Sequence, residues 1–236
     1  MTDRPIIFSA PMVRALLDGR RTQTRRVLKP WPGMQSGWLT MKTLHRAPTC
    51  YLCEVNGHLG AQMQHPLAGT TQGYGEVDPM SPLGWVRLPY ATGDRLWVRE
   101  AFIGPYAYEV NEYPPRDWGN KPIWFPADGP VPEKHAGQFW HSARPSIHMP
   151  RWASRLTLTV TEVRVQRLQD ISEADAIAEG VGGSDWNGEG PHYRPAFHTL
   201  WNSLHGTGAW DANPWVVALT FTVQRGNIDQ IGSANG

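Results

Sequence analysis

Six cations fall within residues 14–29: Arg14, Arg20, Arg21, Arg25, Arg26 and Lys29, with Asp18 the single acid among them. Guanidinium forks match phosphate oxygens and base edges in bidentate geometry. Thr22, Gln23 and Thr24 add neutral hydrogen-bonding groups to the same run. The segment therefore reads as an edge that binds an anion or a base. The competing reading is a solvated helix end whose cations offset the helix dipole. A second basic run, Arg151-Trp152-Ala153-Ser154-Arg155, repeats the theme with an aromatic interleaved. There Arg151 and Arg155 would track phosphates while Trp152 stacks on a base, unless the run is simply a strand edge with solvated arginines and a buried Trp. A third group is Cys50-x2-Cys53-x4-His58, with Gly57 before the His. Zinc takes four nitrogen or sulfur ligands in a tetrahedron, so these residues supply three and His65 is the fourth, with His45 a further option. The competing reading is a pair of free thiols. Zinc is the one cofactor the sequence suggests.

The elements that position these residues follow from periodicity. Pro5-Ile6-Ile7-Phe8 reads as a strand, and Ser9 caps a following helix with Pro11 in its first turn. Val13, Leu16 and Leu17 keep helical spacing, and Gly19 stops the helix directly before Arg20. Gly93-Asp94 marks a turn into an alternating strand, which carries Glu100 onto the face of Leu96 and Val98. Leu156, Leu158 and Val160 alternate, and the phase then shifts to Val163 and Val165, which predicts a bulge. Ser172 with Asp175 predicts a capped helix ending at Glu179-Gly180. A further helix over 195–204 carries Phe197, Leu200, Trp201 and Leu204 on one side. Asn213-Pro214 is a turn into a last strand from Trp215 to Val223. Residues 31–89 show weak periodicity and read as a loop-rich insertion with at most a short hairpin.

Composition bounds the class. A chain of 236 residues with 40% hydrophobic residues can bury a core, and its 18% charged residues with net charge +1 exclude a disordered polyelectrolyte. Nucleic-acid contact must then come from a local patch. The 12 Trp, 21 Pro and 24 Gly favour short strands and turns over long helices. No run approaches the roughly 20 apolar residues of a membrane helix, and two cysteines are too few for a disulfide scaffold. The expectation is a cytoplasmic protein with no membrane partner. Its expected fold is α+β, a small and mostly antiparallel barrel with three or so short flanking helices. Residues 1–225 would form one domain, followed by a flexible tail over 226–236.

Gly19-x-Arg21-x4-Arg26 resembles the signature of the ASCH family: Gly, Lys two residues on, then Arg five further on. Other stretches resemble the phage branch of that family: residues 4–9 (RPIIFS), 93–100 (GDRLWVRE), 146–151 (SIHMPR), 165–172 (VQRLQDIS) and 210–215 (WDANPW). The resemblance implies a PUA-like barrel with a cleft beside the signature segment. Characterised relatives bind RNA or nucleosides. One is an amidohydrolase of N4-acetylcytidine, thought to use a Lys, a Thr three residues later and a Glu; another cuts RNA. The carry-over makes Arg21, Thr24 and Glu100 the catalytic set. Arg21 stands where that relative has Lys, and a guanidinium stays protonated at ordinary pH, so it can hold an oxyanion but is a poor base.

Two functional readings result. One is a domain that binds nucleic acid (RNA or DNA) or a modified nucleoside, extending to an amidohydrolase or ribonuclease. The other is a non-catalytic binding module or a phage assembly protein. In both, Arg20, Arg25, Arg26, Arg151, Trp152 and Arg155 form the nucleic-acid surface.

Overall fold

The computed structural model describes residues 2–28, 41–47, 50–55, 58–63, 85–104, 122–133, 142–185, 188 and 190–231. Its main body is a five-stranded mixed sheet in the order β1-β7-β8-β9-β2. These strands are β1 (Asp3–Ile7), β2 (Gln23–Val27), β7 (Arg95–Arg99), β8 (Leu156–Arg167) and β9 (Trp215–Arg225). Only β1 and β7 run parallel, since α1 (Ala10–Leu17) turns the chain before β2; the other pairs are antiparallel. The architecture is α+β. Pairing among the described residues does not close the sheet into a barrel. The two edges do approach each other, because Arg26 on β2 donates to the Ile7 carbonyl on β1 at 2.7 Å.

The longest strand, β8, carries the predicted irregularity: its register with β9 shifts between Val160 and Glu162. The bulge returns Val163 to the buried face after Val160. Beneath this face, Val13 and Leu16 of α1 pack with Ile6, Phe8, Leu96, Val98, Leu158 and Leu219. The 3.6-residue spacing of α1 meets the two-residue spacing of the strands in one core. A second cluster joins α2 (Glu173–Ala178) and α3 (Tyr193–His205) to β9 through Ala176, Phe197, Trp201 and Val216. Helix α2 is capped as its sequence predicts: Ser172 accepts from the Asp175 amide, and Asp175 accepts from the Ser172 amide. Asn213 takes a left-handed φ of 40°, which asparagine tolerates, and turns the chain into β9.

Two expectations are corrected. Within the supposed loop-rich insertion lies an antiparallel sheet in the order β3-β4-β5-β6, formed by Met41–Ala47, Cys50–Val55, His58–Met63 and Trp85–Arg87. Weak hydrophobic alternation hid these strands, since the signal for a strand is alternation against a core. The tail also does not begin at Gly226. Asn227 donates to the carbonyls of Arg151, Trp152 and Ser154, and Ile228 is fully buried at the start of α4 (Ile228–Ile231). A single buried amide anchors this segment, which composition does not reveal. Among the described residues, no helix is long and apolar enough to cross a membrane.

Candidate functional site

The turn after α1 sets the site. Gly19 adopts φ 70°, and the amides of Arg20 and Arg21 both bond the Ala15 carbonyl. This tight exit drops Arg21 into the protein, where it bridges Glu179 at the end of α2. Arg21 is 3% exposed and Glu179 is 2% exposed. Arg21 Nη2 lies 2.6 Å from Glu179 Oε2 and also donates to Thr24 Oγ1 at 3.0 Å, while Nη1 donates to the Glu179 carbonyl. Arg25 Nη1 holds the other carboxylate oxygen, Oε1, at 3.0 Å, and its Nη2 pairs with Asp175 at 3.0 Å. One buried carboxylate thus answers two buried guanidiniums. The aromatic ring of Phe8 lies under both Arg21 and Arg26, with centroid distances of 5.2 and 5.3 Å.

Charges at this depth shift. Burial lowers the pKa of Arg21, against the pull of Glu179. Burial pushes the Glu179 carboxyl up, opposed by Arg21 and Arg25. Asp175 goes the other way: burial would raise it, but Arg164 and Arg25 overcome this and hold it at about 2.

Beside this network lies a cleft of about 590 Å3 between α1, the end of α2 and α3. Arg21 and Glu179 form its polar end, and Met12, Ala15, Val181 and Leu200 supply apolar walls. Ser9 also lines it; as the N-cap residue of α1 it makes no side-chain capping bond. Clefts of this size and mixed lining suit a small organic ligand.

The predicted residues divide. Arg21 lines the cleft, and behind it Arg21, Thr24 and Arg26 come together around a smaller adjoining pocket. Glu100 does not join them. It is 1% exposed and pairs with Arg155, whose Nε and Nη2 reach its two oxygens at 2.9 and 3.0 Å. Burial pushes Glu100 up, and Arg155 opposes the shift. The acid beside Arg21 and Thr24 is Glu179. The sequence did contain a signal for it: Asp175 and Glu179 sit four apart, on one helical face, opposite a basic strand.

Most of the cations expected on a nucleic-acid surface are paired within the fold. Arg25 is buried and engaged by Asp175 and Glu179. Arg155 is held by Glu100 and Asp128, with Phe125 beneath it at 4.1 Å. Arg151 pairs with Asp3 and Asp229, whose hydrogen bonds raise its pKa further. Arg20 is exposed but bonds Asp18 and the Gly180 carbonyl. Each of these guanidiniums has a carboxylate close by. Trp152 is 37% exposed and remains accessible.

Among the described residues, no group of three or more His, Cys, Asp or Glu is placed to hold a metal. Cys50 and Cys53 lie on β4 and His58 on β5, with Cys53 opposite Gly60 in the backbone register. The zinc expectation rests on their side chains and on His65, which lie outside the described residues.

Fold and site together define an α+β domain with a cleft bounded at one end by a buried arginine–glutamate network. No family model, no curated protein and no solved structure matches the chain.

Proposed function

We propose that the chain is an ASCH-type domain that binds a modified nucleoside or a short RNA end in the cleft beside Arg21. The observation that carries this reading is the wall of that cleft. A buried guanidinium there is fixed by the Glu179 carboxylate and at the same time donates to the Thr24 hydroxyl. Such a group is preorganised to hold a carbonyl or phosphate oxygen, because its orientation is set before the ligand arrives. The signature segment, the cleft beside it, the bulged β8 and the approach of edge strands β1 and β2 all support the PUA-like barrel that the resemblance implies. The cleft is sized for a nucleoside, and the pairing of Arg20, Arg25, Arg151 and Arg155 argues against a long nucleic-acid track.

A second reading, hydrolysis, is favoured by one contact: Arg21 Nη2 donates to Thr24 Oγ1 and would stabilise that oxygen as it gained charge. A Thr nucleophile also needs a base. Glu179 has both oxygens engaged by arginines, and Glu100 is paired with Arg155, so binding is the primary reading.

The test is to incubate purified protein with N4-acylated cytidines and short RNAs and to read retained ligand and products by mass spectrometry. Retention lost in Leu200→Arg, which fills the cleft, supports binding there. A new product mass that disappears in Thr24→Ala establishes the hydrolase. Retention that ignores Leu200→Arg sinks the cleft as the site.

A further inference from the structure

A second, much smaller pocket adjoins the cleft and shares Met12, Arg21, Glu179, Leu200 and Leu204 with it. Its volume is about 20 Å3, room for one oxygen atom or one water. What lines it is unusual. Arg21, Arg25 and Arg26 contribute three guanidiniums, and Thr24, Trp201 and His205 complete the polar wall. The carboxylate and hydroxyl oxygens in that wall are already engaged. Glu179 Oε1 takes Arg25 and Oε2 takes Arg21, while Thr24 Oγ1 takes Arg21.

The donors are not all used. Trp201 is 3% exposed, and its indole Nε1 has no hydrogen-bond partner among the described residues. The same holds for Nε of Arg21 and Nε of Arg25, each in a residue 3% exposed. Three residues lining one small space, each with a buried N–H group that lacks a partner among the described residues, is rare, since buried donors are nearly always satisfied. The charge count points the same way. Arg21 and Arg25 are answered by Glu179 and Asp175, whereas Arg26 bonds only the Ile7 carbonyl among the described residues. Among the described residues the pocket therefore carries surplus donors and one guanidinium, Arg26, with no ion pair of its own, Glu179 and Tyr90 acting on it only at longer range.

We propose that this pocket is a subsite for a single anionic oxygen, the terminal oxygen of a carboxylate or phosphate group, while the rest of the ligand occupies the adjoining cleft. The proposal rests on the cleft being the binding site and narrows the ligand to one with an apolar body and one acidic end. Trp201 Nε1 and the Arg21 and Arg25 Nε groups donate to the oxygen, and Arg26 supplies the balancing charge. The His205 ring, 4.1 Å from the Trp201 ring and inclined by 30°, keeps the indole in place.

Two measurements on the full chain test this. Crystals soaked in bromide should show an anomalous peak between Trp201 and Arg26. In chloride-free buffer, acetate and inorganic phosphate should raise the melting temperature saturably, and whichever binds tighter identifies the acidic group. Trp201→Phe keeps the ring stack and removes the donor. It should weaken that affinity about tenfold or more, the worth of one hydrogen bond to a charged group. A water at the pocket in bromide-soaked crystals, or equal anion affinity in Trp201→Phe and the natural chain, overturns the subsite. N4-acylated cytidine or short RNA retained in the cleft while acetate and phosphate fail to bind also overturns the subsite, yet leaves the cleft reading intact. Anion binding lost in Trp201→Phe, with no nucleoside retained, supports the subsite and removes the nucleoside reading instead.

Discussion

At the residue scale, the lesson is that one carboxylate organises the site. Glu179 accepts from Arg21 and Arg25 while almost wholly buried. Removing its charge leaves two guanidiniums in low dielectric with less than they need. Breaking a buried pair in this way costs about 3–5 kcal/mol. Glu179→Gln should therefore lower the unfolding free energy by that amount, read in urea as a lower midpoint at unchanged slope. Glu100→Gln should lose less, about 1–3 kcal/mol, because Arg155 keeps Asp128 and is a quarter exposed. Equal losses in the two variants would show that Glu179 is not the keystone. The sequence already displayed Arg21, Thr24 and Arg26 as a set, since they are close in the chain. It displayed Glu179 only as an acid at the end of a predicted helix and not as the partner of Arg21, from which it lies 158 residues away. Glu100 was legible as an inward acid from strand alternation, and it is buried; its partner, Arg155, was not legible, because parity fixes a face and not a neighbour.

At the element scale, α2 acts as the latch between the sheet and the cleft. Asp175 caps the helix and also pairs with Arg164 on β8 and Arg25 on β2. Its pKa falls from 3.8 to about 2. A carboxylate depressed on folding adds stability above its unfolded pKa, and that stability is lost as pH falls through the folded value. The contribution of Asp175 should therefore be intact above pH about 4 and vanish between about 4 and 2. Asp175→Asn should remove this step from an acid-unfolding curve, and a curve of the same shape would refute the assignment. The helix ends at Gly180, where φ is +77° and an added Cβ would stand 3.0 Å from the Cβ atoms of both Ala15 and Arg21. Gly180→Ala should cost at least about 1–2 kcal/mol in backbone strain alone and push Arg21 out of line. A lowered melting temperature together with weaker ligand retention is the expected result; full retention would mean that the turn relaxes without moving Arg21. Helices α1, α2 and α3 and strands β1, β7, β8 and β9 were readable because each has a face against a core, whereas β2, at Gln23–Val27, was legible only as a basic segment and α4 lay in the expected tail. The sheet over 41–87 was not readable, because its composition offers no such alternation.

At the scale of the whole molecule, the question is whether this is a polyanion-binding protein or a small-ligand protein. The net charge is +1. The cations that looked free in the sequence prove to be answered within the fold: Arg20 by Asp18, Arg25 by Asp175 and Glu179, Arg151 by Asp3 and Asp229, Arg155 by Glu100 and Asp128. A nucleic-acid track must release counterions by offering unpaired cations to successive phosphates. Each phosphate so neutralised adds about 0.9 to the slope of log affinity against log salt for duplex DNA and about 0.7 for single strands. If ligand is held in the cleft with one charged oxygen near Arg26, only one phosphate is engaged and the slope should stay near −1. The measurement is RNA and DNA retention across a salt series, with a 5′-phosphorylated dinucleotide beside a longer strand of the same sequence. The expected outcome is equal affinity and equal, shallow slopes for the two lengths, because only the terminal unit enters the cleft. A slope that steepens with length would instead show that exposed ion pairs such as Arg151–Asp229 open to admit phosphates. Those pairs would then be a latent binding surface, and Trp152 beside them its stacking platform.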